Sequence, residues 1–157
     1  MSDDPSLPQR SLAVRRATAR LCLRLGWAPL HEVALPNGRR ADILALRPDG
    51  GFACIEVKSG VRDFLTDGKW HEYREVSDAL YFAVDDDFPQ QLLPDDVGLI
   101  VAGAGIADLL RAAPEHRLSP PRRRALLRLF AGLAAMRLAA VTDPEGVAEL
   151  RAALRPE

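Results

Sequence analysis

Lysine is almost absent from this sequence of 157 residues. Arginine supplies 19 of the 21 basic residues, and only Lys58 and Lys69 are lysine. Such a replacement of lysine by arginine is typical of a GC-rich coding background. The two lysines that persist against this bias are therefore candidates for positions where the chemistry requires a primary amine.

Cysteine, long apolar runs and an apolar leader are also lacking. Cys22 and Cys54 each lie in an apolar stretch and form no metal-type pair, so we expect buried free thiols in a reducing cytosol. No apolar run approaches the ~18–20 residues that span a bilayer, and residues 1–16 lack the apolar segment of a signal peptide. We therefore expect a cytoplasmic protein with no membrane partner.

The composition is that of an ordinary globular domain, with 48% hydrophobic and 27% charged residues. A length of 157 residues favours one domain. We expect a flexible leader over residues 1–9, which contain two prolines, and a single domain over residues 10–157. The net charge of −1 does not by itself indicate a nucleic-acid-binding protein.

Hydrophobic periodicity and turn residues predict an α-βββ-α-β-β-α order with C-terminal helices, hence a mixed α/β fold with a central sheet flanked by helices. The predicted strands are Pro29–Leu35, Ala41–Arg47, Phe52–Ser59, Ala79–Val84 and Val97–Ala102. The predicted helices are Arg10–Gly26, Asp63–Ser77, a short one near Gly105–Ala112, a long one from Ser119 to about Ala140, and a last one from Thr142.

Two carboxylates and an amine are predicted to meet on the second and third strands. Glu56 and Lys58 are two positions apart, so both side chains point to one face of a strand. A tight turn joins this strand to the one that Asp42 opens, which brings Asp42 to the same end of the sheet. Hard oxygen ligands of this kind suit Mg²⁺, and the lysine can hold an attacking water or stabilise charge on a phosphate.

The spacing alone is weak, because a Glu and a Lys two residues apart are common on exposed strands. Three features favour a site. The acids lie on adjacent strands of a predicted hairpin, an apolar residue separates Glu56 from Lys58, and a helix precedes the strands. The pattern thus predicts a metal-dependent site for phosphodiester hydrolysis.

The stretches GRRADILAL and CIEVKSG resemble the PD-(D/E)XK nuclease superfamily. Residues from Glu32 to about Arg137 are similar to the bacterial mitomycin-resistance DNA-repair family, called MmcB-like, through the blocks IEVKSGVRDFLTDGKWHEY, DALYFAVDDDFP, GLIVA and APEHRLSPPRRRALL. This resemblance implies a restriction-endonuclease-like fold and a DNA-repair nuclease that uses Mg²⁺ or Mn²⁺. It implies that Asp42 and Glu56 hold the metal and that Lys58 is catalytic.

The sequence departs from the family pattern at two points. Ala41 stands before Asp42 where many relatives have proline, a position that shapes the strand. Many relatives carry an acid of the metal site on the first helix, whereas Arg10–Gly26 contains none. Glu32 is the nearest substitute, as a metal ligand or as a surface charge, and the Val57 carbonyl is expected as a further ligand.

Several neighbouring residues are candidates for contacts with DNA. Arg39 and Arg40 adjoin the turn before Asp42 and are suited to neutralise phosphates. Lys69 and Tyr73 are four residues apart on the predicted second helix. For Lys69 the alternative is a solvated surface lysine, and for Tyr73 a core position is equally favoured.

For other residues near these positions, a purely structural role is an alternative to a functional one. We expect Trp70 in the core rather than as a base-stacking platform. Asp63 is either a support for the metal site or a helix cap, and His71 is a surface or core histidine rather than a general base. We predict that the acids at positions 85–87 form a solvated loop. The arginines of the first helix, Arg16, Arg20 and Arg24, are interpreted as its solvent face.

Two functions remain open from the sequence. The first is a Mg²⁺-dependent DNA nuclease in damage repair. The second is a nuclease-fold module that binds damaged or branched DNA without cutting it, and the near-neutral charge and the missing helical acid favour it. An interaction domain with no role in nucleic-acid biology has only the net charge in its favour. DNA is the expected partner, and a homodimer is left open.

Overall fold

A six-stranded mixed sheet with its strands in chain order, β1 to β6, forms the centre of the fold. The computed structural model describes residues 6–155. The strands are Ala28–Ala34 (β1), Arg40–Leu46 (β2), Phe52–Lys58 (β3), Ala79–Asp85 (β4), Gly98–Gly103 (β5) and Ile106–Arg111 (β6).

The first three strands form the predicted antiparallel meander. Gly38 and Gly50 occupy its turns with φ of 82° and 83°, a conformation that glycine adopts without steric cost. β4 then pairs parallel with β3, and β5 parallel with β4. β3 is buried along its whole length, as expected for a strand covered on both faces.

The helices are Leu7–Arg24 (α1), Val61–Thr66 (α2), Pro120–Thr142 (α3) and Pro144–Ala153 (α4), with 3₁₀ segments over Trp70–Val76 and Gln90–Leu92. α1 begins before the predicted start at Arg10, because Ser6 and Gln9 form a capping box and Pro8 suits the first turn. The predicted leader over residues 1–9 is therefore helical from Leu7. Its residues 1–5 lie outside the described part of the chain.

The prediction of one helix over Asp63–Ser77 was wrong. The helix ends at Thr66, and a 3₁₀ segment begins at Trp70. Between them, the carboxylate of Asp67 accepts the backbone N–H of Lys69 at 3.2 Å. This local turn competes with the helical hydrogen-bond pattern and breaks the helix.

The prediction of a short helix near Gly105–Ala112 was also wrong, since this stretch is the edge strand β6. Ala104 and Gly105 both have positive φ, 51° and 78°, which is the backbone of a two-residue hairpin turn. β6 pairs antiparallel with β5. Its alternating burial follows the strand period of two, which short apolar runs do not distinguish from a helix.

Helices cover both faces of the sheet, which confirms the predicted mixed α/β architecture. On one face, α1 buries Val14, Ala17 and Leu21 against a cluster that includes Ile55 and Ile100. On the other, Phe64 of α2 and Trp70 make edge-to-face contacts with Phe82 at 5.5 Å between ring centroids. Cys22 and Cys54 are buried free thiols, as predicted.

The chain forms two compact units, and the single domain over residues 10–157 stays a prediction. The first ends at Leu118 and the second begins at Ser119. The sheet and its core are complete within the first unit, whereas the second consists of α3 packed on α4. Asp143 caps α4 by accepting the Gly146 N–H at 3.1 Å.

Within residues 6–155, α3 is the helix that is long and apolar enough to cross a membrane, by length and composition alone. The expectation that no stretch approaches this length considered uninterrupted apolar runs, which Arg128 and Arg137 break. Averaged over 18 residues the helix is apolar despite both arginines. Core helices of soluble proteins pass the same test, so this property assigns no location.

Candidate metal and nucleic-acid site

Asp42 and Glu56 lie side by side on neighbouring strands, as predicted. The register pairs Ile43 with Ile55, which sets Asp42 opposite Glu56. The backbone N–H of Asp42 donates to Glu56 Oε1 at 3.2 Å, and the N–H of Val57 donates to Asp42 Oδ2 at 2.8 Å. Each carboxylate is therefore held by the backbone of the strand that carries the other.

Burial makes the charges of this pair costly. Glu56 is 4% exposed, and burial together with the nearby Asp42 charge raises its pKa to about 8. Burial also raises the pKa of Asp42, against the lowering effect of the Val57 N–H and the Arg15 charge. Two neighbouring carboxylates of this kind favour either protonation of one of them or a bound cation between them.

Lys58 shares this face of β3 and is 5% exposed. Its Nζ donates to Asp67 Oδ2 at 2.6 Å, which is a short charge-assisted hydrogen bond. Burial raises the pKa of Asp67, but the hydrogen bond and charge of Lys58 outweigh it, and the pKa is lowered overall. Asp67 thus keeps a negative charge beside the candidate catalytic amine.

These groups open into a cleft of about 580 Å³. Asp42 and Glu56 both face this cleft. It is lined by Ser11, Gly38, Arg39, Arg40, Asp42, Glu56, Val57, Lys58, Asp63, Thr66, Asp67 and Tyr73.

The available donors suit a magnesium ion, which keeps water ligands, better than a metal that is enclosed by protein ligands alone. Within residues 6–155, no three His, Cys, Asp or Glu side chains gather closely enough to hold a metal ion. Mg²⁺ takes one or two carboxylates and keeps several waters, so Asp42 and Glu56 suffice for it. Structural zinc, which takes four protein ligands, does not fit this cleft.

Glu32, the predicted substitute for the missing helical acid, points its carboxylate toward a cation. Its Oε1 lies 3.4 Å from Arg15 Nη1, while Arg15 Nη2 lies 3.9 Å from Asp42 Oδ1. Arg15 therefore stands between Glu32 and Asp42. The roles of Glu32 and of the Val57 carbonyl as metal ligands stay predictions.

The residues predicted to contact DNA differ in their exposure and in their partners within the protein. Arg39 is paired with Glu72 at 2.6 Å, whereas Arg40 and Lys69 are exposed. Tyr73 is buried, and its hydroxyl donates to the Arg40 carbonyl at 3.0 Å. This hydrogen bond ties the 3₁₀ segment to the start of β2, beside Asp42.

The secondary candidates take structural positions. Trp70 is 8% exposed, which confirms its core placement, and the exposed His71 stacks on its ring at 3.6 Å. Asp63 lies in the first turn of α2, whose N-cap is Gly60, and its carboxylate accepts the Ser59 N–H at 3.2 Å. The prediction of a solvated loop over the acids at 85–87 was wrong for Asp85. This residue ends β4 and forms an ion pair with Arg10 at 2.6 Å.

Two residues of the site were missed from the sequence, Arg15 and Asp67. Arg15 lies on the same side of α1 as the buried Thr18 and Cys22, three and seven residues further on. A charged residue on a buried helical face is a signal that could have identified it. For Asp67 no local signal exists, because its partner Lys58 lies on another element.

The fold and the site together define a mixed α/β protein in which a buried lysine, a buried glutamate and a partly exposed aspartate share a cleft at the sheet. The profile of the family described as "DNA repair protein MmcB-like" matches residues 2–145, and the chain belongs to this family. A comparison with curated proteins gave no match. Membership in the family indicates a role in DNA repair and suggests interaction with DNA.

A solved structure of a protein of unknown function from Silicibacter pomeroyi is similar to this chain. The two share 41% sequence identity, with a TM-score of 0.83, over 88% of this chain and 94% of that chain. This likeness supports the described fold and carries no information on activity.

Proposed function

We propose that this protein is a Mg²⁺-dependent deoxyribonuclease of DNA repair with a restriction-endonuclease-like fold. The observation that carries the proposal is the pair of Asp42 and the buried Glu56 beside Lys58, facing an open cleft. The order of an antiparallel meander followed by parallel strands supports the fold assignment. The family's role in repair supports DNA as the substrate.

The residues of the site divide the work by their chemistry. Asp42, Glu56 and the Val57 carbonyl would hold Mg²⁺, or Mn²⁺ in its place. The ion, when bound, supplies Lewis-acid chemistry toward a phosphodiester. The Lys58 ammonium, held by Asp67, is placed to orient an attacking water or to stabilise charge on the phosphate.

Substrate binding falls to the cations at the rim of the cleft. Arg40 is exposed beside the carboxylates, and Arg39 becomes available to a phosphate when it leaves Glu72. Lys69 adds an exposed charge two residues after Asp67, which lines the cleft. Contacts of this type bind the backbone of DNA without reading its sequence.

The test is a nuclease assay on linear and branched DNA with Mg²⁺ or Mn²⁺. We expect cleavage that is lost in Asp42→Asn and Lys58→Met. Asp108→Asn serves as a matched control, since Asp108 is an exposed carboxylate on β6. Cleavage that persists unchanged in both Asp42→Ala and Lys58→Ala contradicts the proposal.

A second candidate function is a module that binds DNA without cutting it. The observation in its favour is Arg15, a cation on the first helix that lies 3.9 Å from Asp42, while the predicted helix Arg10–Gly26 contains no acid. Binding of branched DNA that is equal in Mg²⁺ and in EDTA, with no cleavage in either, would support this function. Cleavage by the wild-type protein excludes it.

A further inference from the structure

Arg15 reaches two carboxylates from α1 and is tightly bound to neither. Its guanidinium lies 3.4 Å from Glu32 and 3.9 Å from Asp42, whereas charge-assisted hydrogen bonds are typically about 2.7–2.9 Å long. The side chain is 23% exposed, and its buried Nε has no hydrogen-bond partner. Charge rather than a complete set of hydrogen bonds therefore holds this guanidinium.

The strand that carries Glu32 is strained at that residue. Glu32 has a φ of 49°, in the left-handed region that side chains other than glycine, asparagine and aspartate rarely adopt. The strain lies opposite Asp42, because the register pairs His31 with Ile43 and Val33 with Ala41. Strain of this kind persists where the surrounding structure enforces it, and it is frequent at functional sites.

The position of Arg15 suits an exchange of charge. Asp42 and Glu56 need a positive neighbour, and Arg15 supplies one on the Asp42 side. A divalent cation on Asp42 would repel a guanidinium at this distance. Glu32 is already within 3.4 Å of Arg15 and is half exposed, so it offers a second anion within reach of a small side-chain rotation.

We propose that Arg15 is a displaceable counter-ion of Asp42 and that Glu32 takes up its guanidinium when a divalent cation binds. This proposal rests on the metal site of the proposed function. It assigns Glu32 a positioning role exerted through Arg15, in place of direct ligation of the metal. The arginine on α1 then tunes how tightly the site binds its ion.

The test is a double-mutant cycle in which calorimetry measures the Mn²⁺ affinity of four proteins. These are wild type, Arg15→Met, Glu32→Gln and the double variant. We expect Arg15→Met to bind Mn²⁺ more tightly, on the order of tenfold, because a repelling charge is gone. Glu32→Gln should weaken binding about threefold or more in wild type, and by less than about twofold when Arg15 is Met. Arg15→Lys keeps the charge and should bind close to wild type.

Three other outcomes of the binding measurements would contradict the proposal. Equal weakening by Glu32→Gln in both backgrounds would show that Glu32 ligates the metal directly, and would overturn the proposal. Wild type that binds Mn²⁺ while Arg15→Met binds no more tightly overturns it as well, and leaves the proposed function intact. No Mn²⁺ binding by any of the four proteins overturns both.

Nuclear magnetic resonance gives a readout of the displacement itself. The Nε–H signal of Arg15 should shift on addition of Mg²⁺, because the guanidinium changes partner. Arg16, the exposed neighbour on α1, is the matched control and should shift much less. An Arg15 signal that stays in place while Mg²⁺ binds contradicts the displacement.

Discussion

The ammonium of Lys58 lies 2.6 Å from the carboxylate of Asp67, and this ion pair joins the centre of the sheet to the break between two helical segments. Lys58 is buried at the end of β3, whereas Asp67 is the C-cap residue that follows α2. The pair therefore couples the position of the candidate catalytic amine to a segment that lines the cleft.

Removing the Asp67 charge should destabilise the fold. Asp67→Asn leaves the Lys58 charge buried without its anion, which in fully buried pairs costs roughly 3–5 kcal/mol. Since the Asp67 side chain is 22% exposed, water screens part of the loss, and we expect about 1–3 kcal/mol. Urea unfolding at neutral pH measures it, with the exposed Asp95→Asn as control. Identical unfolding free energies for Asp67→Asn and wild type would contradict the assigned coupling.

The metal-free protein should lose stability as the pH rises from about 4.5 to about 8. In this range Glu56 is ionised in the unfolded chain but protonated in the fold, where its pKa is raised to about 8. The folded state then binds more protons, so the free energy of unfolding falls with pH. At about 1.4 kcal/mol per pKa unit, the total is on the order of several kcal/mol.

Chemical unfolding in EDTA across this pH range tests the effect. Glu56→Gln cannot ionise and should flatten the slope over the same interval. A slope that is equal in wild type and Glu56→Gln would show that another group titrates.

Binding of Mg²⁺ should tighten as the pH rises toward 8. A metal ligand must be deprotonated, and Glu56 carries its proton below about pH 8. We expect affinity to increase by up to about tenfold per pH unit, with proton release that calorimetry detects in buffers of different ionisation enthalpy. Proton-free binding with an affinity that is constant from pH 6 to 8 would exclude Glu56 as the titrating ligand.

Arg40→Ala should weaken DNA binding by a similar factor on all sequences. Arg40 is exposed beside the carboxylates, and loss of one phosphate contact lowers the salt dependence of binding by about one counterion. Fluorescence anisotropy with Ca²⁺ or EDTA at several salt concentrations measures both quantities. Arg16→Ala, on the solvent face of α1, is the control and should match wild type. A loss confined to one DNA sequence would indicate base readout instead.

The predictable part of the site is the part made by neighbouring strands. Asp42, Glu56 and Lys58 were placed together because side chains alternate along a strand and because Gly38 and Gly50 end the turns of a meander. Both rules act over a few residues. The bounds of β1 to β5 followed from the same local patterns to within one residue at every end.

The errors arose where local patterns are ambiguous. The stretch IADLLR is apolar enough for a short helix or a strand, and the positive φ of Ala104 and Gly105, together with the free edge of β5, selects the strand. The turn that Asp67 forms between its side chain and the backbone has no periodic pattern in the sequence. The second helix was therefore predicted to continue through this residue.

What the sequence by itself determined is the order of the elements, the meander and the clustering of two carboxylates and a lysine on one face, since these depend on turn residues and on the period of two. Only the tertiary structure decided which charges surround them. Arg15 comes from a helix 27 residues before Asp42, and Asp67 from beyond the end of β3. Long-range packing brings Arg15 beside Asp42 and Asp67 beside Lys58, and patterns that extend over a few residues do not predict such contacts.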